Sequence, residues 1–228
     1  MKNFLAKLIH FWDEDRSLTV MLLLLVSFIF VLVPCLNPGR AGELIIRVIY
    51  SVMLLTAVFS VARKRRYLFG VVSVFALISL IVNWVSDVEP SRSLSIAHDF
   101  SAIFFNLFFA IAILAKTFQQ GEITYHRIEG SIVVFLLIGL IFAYIFHVIY
   151  LFEGASSFNN ISGVNLKEFL YYSFTTLTTM GYGDITPVHP LARSLANFES
   201  LFGQLYPAIL IARLVSMEFE ASLRKRKS

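Results

Sequence analysis

The run from Asn165 to Pro187 reads NLKEFLYYSFTTLTTMGYGDITP. Thr179, Gly181 and Gly183 alternate with Met180 and Tyr182, and Asp184 follows. Glycine takes positive φ at little steric cost. Glycines at every second position therefore let successive carbonyl oxygens turn toward one axis. A row of such oxygens can replace the water shell of a cation. The chemistry offered is coordination by backbone oxygen. Enzyme chemistry needs a cluster of carboxylates, histidines or metal ligands near one depth, and none stands out. His10, His98, His126, His147 and His189 are scattered without metal-ligand spacing. The chain reads as no enzyme and as needing no cofactor.

A backbone that is neither helix nor sheet is tolerated at membrane depth only when buried in protein or lining a water-filled path. A short helix before the glycines would supply that burial. Asn165 and Glu168 have the spacing of a helix-starting capping box, and Phe169–Thr178 would then form about three turns. The apolar stretch Phe169–Leu177 is too short to span and reads as a re-entrant segment or a buried helix. Its carboxyl-terminal dipole would favour a cation on the axis.

The rest of the chain is built for lipid. Of 228 residues 57% are hydrophobic and 15% charged, against roughly 25% charged in an ordinary soluble domain. That excludes disorder, a fibrous protein and a soluble enzyme. A spanning helix needs about 20 apolar residues. Six stretches qualify: Leu18–Leu36, Leu44–Ala62, Leu68–Val85, Ala97–Leu114, Ser131–Phe152 and Leu195–Met217. The fold expected is an all-α membrane protein with six transmembrane helices, a re-entrant pore helix and a filter loop. Its parts are an interfacial cytoplasmic arm over 1–17, a four-helix domain over 18–117, a pore domain over 129–218 and a basic tail over 219–228. Phe4, Leu5, Leu8, Phe11 and Trp12 give the arm an interfacial face, and Asp13-Glu14-Asp15 sets it apart from a signal peptide.

Charge sets the orientation. One side carries Lys2, Lys7 and Arg16, the Arg63–Arg66 run, Lys116 and Arg127, and then Arg213 with Arg224–Lys227. The other side carries only Arg40, Arg47, Arg92, Lys167 and Arg193. Both termini are expected in the cytoplasm. The net charge of +4 is thus a topology signal rather than a nucleic-acid signal. The single cysteine, Cys35, forms no disulfide within the chain and reads as a buried apolar residue.

Thr178–Asp184 resembles the selectivity filter of the potassium-channel family. Gly130–Met217 as a whole is similar to the bacterial potassium channels with an ion-channel-2-type pore module. The resemblance implies K+ as the permeant ion, bound at Thr179, Met180, Gly181 and Tyr182. Thr179 would give hydroxyl and carbonyl to the innermost site, and the next three would give carbonyls. Gly183 would complete the outer turn, the Tyr182 ring would brace the filter from behind, and Asp184 would sit at the outer mouth. Thr178 would support the filter. Tyr172 stands where many members carry a tryptophan tying pore helix to filter. Met180 replaces the usual valine or isoleucine. Thr175 stands where some members carry a glutamate, so Asp184 lacks that partner. With one filter segment per chain, the resemblance implies a homotetramer in a bacterial inner membrane.

The fourth span occupies the place of a voltage sensor yet has no arginine, and Asn106 is its only strongly polar central residue. Moving one charge through 100 mV is worth about 2.3 kcal/mol, so steep voltage sensing is not expected. Pro207 removes the hydrogen bond to the carbonyl of Gly203, and these two residues are the candidate gating hinge. Glu199, inside the sixth span, reads as a brace behind the filter with Arg193 as a partner. His147 reads as a packing histidine, Arg47 as snorkelling toward Glu43, and Asp87, Glu89, Asp99, Glu153 and Glu168 as outer acids that attract cations or simply face water. A weakly selective cation channel and a non-conducting regulatory subunit are the alternatives to a potassium channel. A transporter would show broken helices in two related halves, and only one half has a break.

Overall fold

A computed structural model describes residues 14–35, 39–61, 66–88, 91–117, 125–161, 163 and 165–227. The apolar arm residues Phe4–Trp12 and the basic residues Arg63–Arg65 lie outside them. Helix α1 (Glu14–Ser27) continues through a π-helical turn, Phe28–Leu32, and a last α turn, Val33–Cys35. In the wide turn the Val33 N–H reaches back to the Phe28 carbonyl. Pro34 follows and has no N–H for the Phe30 carbonyl, which is where a helix widens most cheaply. Helices α2 (Arg40–Val61), α3 (Arg66–Val88) and α4 (Arg92–Thr117) complete the first half. The second half holds α5 (Tyr125–Glu153), the short α6 (Leu166–Leu177) and α7 (Pro190–Lys227).

Among the described residues, four helices are long and apolar enough to cross a membrane, at Leu18–Cys35, Arg92–Ala115, Arg127–Glu153 and Pro190–Ser216. Helices α2 and α3 carry shorter apolar stretches, Leu44–Val58 and Phe69–Val85. The chain is a mostly helical, multi-pass membrane protein. Among the described residues the one sheet is a two-residue antiparallel pairing of β1 (Phe158–Asn159) with β2 (Thr186–Pro187), Phe158 opposite Pro187 and Asn159 opposite Thr186.

Helix α5 is the hub. Its sequence is apolar on every face, as a fully surrounded helix requires. Helices α1, α4, α6 and α7 all pack on it, and 67% of its spanning segment is buried. Polar side chains inside the bundle join neighbouring helices, where an unpaired polar group is expensive. Thr19 of α1 donates to both Glu129 carboxylate oxygens of α5, at 3.0 and 2.9 Å. Arg47 of α2 donates to the Asn83 carbonyl of α3, and the side chain of Glu43, the partner expected for it, lies outside the described residues. Asn106 turns its amide onto the Ala102 carbonyl at 2.7 Å.

Two further expectations are corrected. Asp99 is no outer surface acid. It is 2% exposed, and its Oδ2 lies 2.7 Å from Nδ1 of His147 on α5. His147 does pack, with its ring 5.1 Å from Phe169, but it also makes this buried polar contact between α4 and α5. Cys35, expected to be buried, is exposed on the single chain.

Candidate functional site

Helix α6 starts at Asn165, whose backbone is extended (φ −114°, ψ 125°) and whose side chain makes no capping bond. The Glu168 N–H is taken by the Asn165 carbonyl at 3.2 Å. The start is thus where the spacing placed it, without a capping bond from the Asn165 side chain. Aromatic packing holds α6 instead. Phe169 is fully buried against Tyr150 at 5.3 Å and Phe158 at 5.6 Å. Tyr172 lies between Phe146 at 4.9 Å and Phe158 at 5.4 Å. It therefore ties α6 to α5 and not to the filter.

The next turn is polar. Ser173 Oγ lies 2.7 Å from the Gly139 carbonyl and 2.5 Å from Glu199 Oε1, so it joins α5, α6 and α7 at one point. Glu199 is fully buried and braces α6 from behind through Ser173. Arg193 is exposed, and Ser173 takes the place expected for it. A side chain at Gly139 would meet the Phe174 ring at 2.8 Å, so only glycine lets α5 and α6 come this close.

The helix stops at Thr178, whose hydroxyl donates back to the Phe174 carbonyl at 2.6 Å. Thr175 turns its hydroxyl onto the Tyr172 carbonyl at 2.9 Å. Its own carbonyl accepts the N–H groups of Met180 at 2.9 Å and Gly181 at 3.1 Å. Thr179, Gly181 and Gly183 then take positive φ, at 58°, 53° and 78°. The alternation expected of the two glycines thus begins one step earlier, at a threonine. A β-branched residue at positive φ is a genuine outlier, costing about 1–3 kcal/mol, and such strain persists only where the surroundings enforce it. Met180 and Tyr182 are 57% and 66% exposed on the single chain.

Three residues fasten the outer end. The Tyr171 hydroxyl donates to Asp184 Oδ2 at 2.7 Å. The Tyr171 ring lies parallel to that of Tyr182, with centroids 6.4 Å apart. Asn160 donates from its amide to the Asp184 carbonyl at 2.8 Å. The bond from Tyr171 is the main reason the Asp184 carboxyl sits below its ordinary pKa. The same bond chiefly pushes the Tyr171 phenol up to about 12. The Asp184 partner missing at Thr175 is thus supplied by Tyr171, next to the tyrosine that sequence reasoning selected. Only the rotation of α6 decides which of two adjacent tyrosines faces the loop.

Helix α7 presents one face to this assembly. Glu199, Ser200, Gly203 and Gln204 share it, since positions three and four apart are neighbours on a helix. Ser200 Oγ lies 3.3 Å from the Thr176 carbonyl. A side chain at Gly203 would stand 1.7 Å from the Leu177 carbonyl oxygen. Gln204 Nε2 donates to Thr179 Oγ1 at 3.0 Å. Sequence reasoning found Glu199 and Gly203 and missed Ser200 and Gln204. The polar and small residues at helical spacing in an apolar span were the available signal. Pro207 lies inside α7 one turn further on, and the neighbouring Tyr206 donates its hydroxyl to the Ser131 carbonyl of α5 at 2.9 Å.

A spanning helix, a short buried helix, an irregular loop with alternating handedness and a second spanning helix describe a module for moving ions. Comparison with known proteins agrees. Residues 131–220 match the family described as ion channel, which supports reading this stretch as an ion channel pore module. Protein LctB from Geobacillus stearothermophilus is 44% identical over 50 residues, which is 22% of this chain and 37% of that protein. Protein LctB from Bacillus caldotenax is 42% identical over 50 residues, with the same coverage. The chain therefore matches little more than a third of the length of these curated relatives. No solved structure matches.

Proposed function

We propose that the chain is the subunit of a potassium-selective channel, a homotetramer that conducts passively through a fourfold pore. The observation that carries the reading is the alternation of positive φ at Thr179, Gly181 and Gly183, directly after the carboxyl end of α6. In the tetramer Thr179, Met180, Gly181 and Tyr182 coordinate K+ with backbone oxygens, and Thr179 adds its hydroxyl. Gly183 closes the loop and Asp184 marks the outer mouth. Helices α1 to α4 and the pore helices α5 and α7 make six spans, with both termini on the cytoplasmic side of a bacterial inner membrane. The charge pattern and the apolar stretches support this topology. Helix α4 has no arginine in its membrane interior, so the channel is not voltage-gated.

The purified protein in liposomes tests the reading, with potassium and sodium gradients compared and a Gly181→Ala variant alongside. Potassium flux well above sodium flux, lost in the variant, is the expected result. Equal flux of both ions would replace the reading with a weakly selective cation channel. No flux under any gradient, in a protein of correct assembly, would make it a non-conducting subunit.

A further inference from the structure

We infer that Gln204 is a positioning residue for the innermost cation site, setting how tightly that site holds a dehydrated cation. The inference rests on the ion-coordinating role proposed for Thr179. Three contacts bring Gln204 to its place. Gly203 admits the Leu177 carbonyl so closely that any side chain there would collide with it, which fixes the distance between α7 and the end of α6. Ser200 bonds the Thr176 carbonyl at 3.3 Å, which fixes the rotation of α7. Gln204 then meets Thr179 Oγ1 at 3.0 Å.

A hydroxyl has one proton and two lone pairs. The Gln204 amide can only donate through Nε2, so it occupies one lone pair of Thr179 Oγ1. The other lone pair remains for a cation, and the proton is turned elsewhere. The hydroxyl is thereby held in the one orientation useful to the ion. The same bond tethers the side chain of a residue whose φ of 58° is unfavourable for a β-branched side chain. Gln204 stands in the apolar run Leu201, Phe202, Gly203, Leu205, where a polar side chain is costly and usually serves a function. Methionine at this position would keep the length and lose the donor.

Barium tests this, because it is close to potassium in size and carries twice the charge, so its binding responds strongly to ligand orientation. Calorimetric titration of barium and of potassium into the purified full chain needs no open gate. Gln204→Met is expected to weaken barium binding about tenfold while the assembly and its melting temperature stay unchanged. In a double-mutant cycle, Gln204→Met should add nothing once Thr179→Ala has removed the hydroxyl. Unchanged affinity in Gln204→Met, or independent effects of the two substitutions, would overturn the inference and leave the channel reading standing. Wild-type protein that binds neither cation would overturn both. If Gln204→Met fails to assemble, the wild-type Gln204 side-chain amide signal is followed by NMR. A shift on adding barium supports the inference, and a static signal overturns it.

Discussion

At the residue scale, hydrogen bonds fasten the glycine loop at each end, and the outer contact of Tyr171 makes a prediction. The outer bond, Tyr171 to Asp184, joins a carboxyl whose pKa is lowered to a phenol whose pKa is raised to about 12. A lowered carboxyl pKa contributes stability that is present above its unfolded value of about 3.9 and is lost as pH falls through the lower folded value. A raised phenol pKa contributes stability that is present below about 10 and is lost as pH rises through the folded value. The contact therefore contributes its full stability from about pH 4 to about pH 10, and fades only beyond those limits, as the folded pKa values are crossed. Tyr171→Phe should move the Asp184 titration up toward about 3.9, read from its carboxyl NMR signal. A titration that stays put would show that the bond is not the cause. At Gly203 the prediction is steric. A methyl group would meet backbone at 1.7 Å, whereas at Gly139 it would meet a movable ring at 2.8 Å. Overpacking costs about 1–3 kcal/mol. In thermal unfolding Gly203→Ala should lie at or beyond the top of that range and Gly139→Ala below it.

At the scale of elements, α6 and α7 behave as one unit. Ser173 with Glu199, Thr176 with Ser200, Leu177 with Gly203 and Thr179 with Gln204 form a continuous seam. The seam ends within one turn of Pro207. Above it α7 is bound to the pore helix. At Pro207 a main-chain hydrogen bond is missing. A bend is therefore cheapest just below the seam, where it moves the inner half of α7 and leaves the filter seated. In the proposed channel the gating hinge would therefore lie at Pro207 rather than equally at Gly203, whose lack of a side chain is already used for packing. Pro207→Ala should reduce the open probability of single channels severalfold without changing ion selectivity. An unchanged open probability would remove the hinge. A second seam joins the two halves of the chain, through Asp99 with His147 and Thr19 with Glu129. Because the His147 ring touches Phe169 of α6, a displacement of α4 has a short mechanical route to the pore helix.

At the scale of the whole molecule, the single chain leaves its pore half uncovered. Only 6% of the spanning segment of α7 is buried, against 67% for α5. An apolar cavity of about 880 Å3 opens beside α6 and is lined by Phe30, Tyr171, Phe174, Met180 and Tyr182. Lipid would cover α7 adequately, but not a loop with exposed carbonyls, since backbone polar groups cannot be left in hydrocarbon. In the proposed tetramer, further copies of the chain cover both. The 25.9 kDa chain should therefore run as a species of about four times that mass after subtraction of detergent, by light scattering. A monomer in mild detergent would contradict the fourfold pore.

Much of this architecture was already legible in the linear sequence. Glycine alternation identified the loop, because only particular residue types tolerate that backbone. Apolar length identified spans, because lipid selects on composition, and the helix break at Thr178–Thr179 followed from both. The sequence also singled out Glu199 and Gly203, a charge and a glycine out of place in an apolar helix. What it could not determine were relations that depend on rotation and distance between helices. Whether Tyr171 or Tyr172 faces Asp184 depends on the roll of α6 about its axis. Whether Asp99 is a surface acid or a buried partner of His147 depends on which face of α4 meets α5. The role of Gln204 needs the close approach of α7 at Gly203. Residue type sets what a backbone or a membrane will accept. Pairing between groups far apart in the chain is settled only when the helices have packed, because a hydrogen bond requires its two ends within about 3 Å.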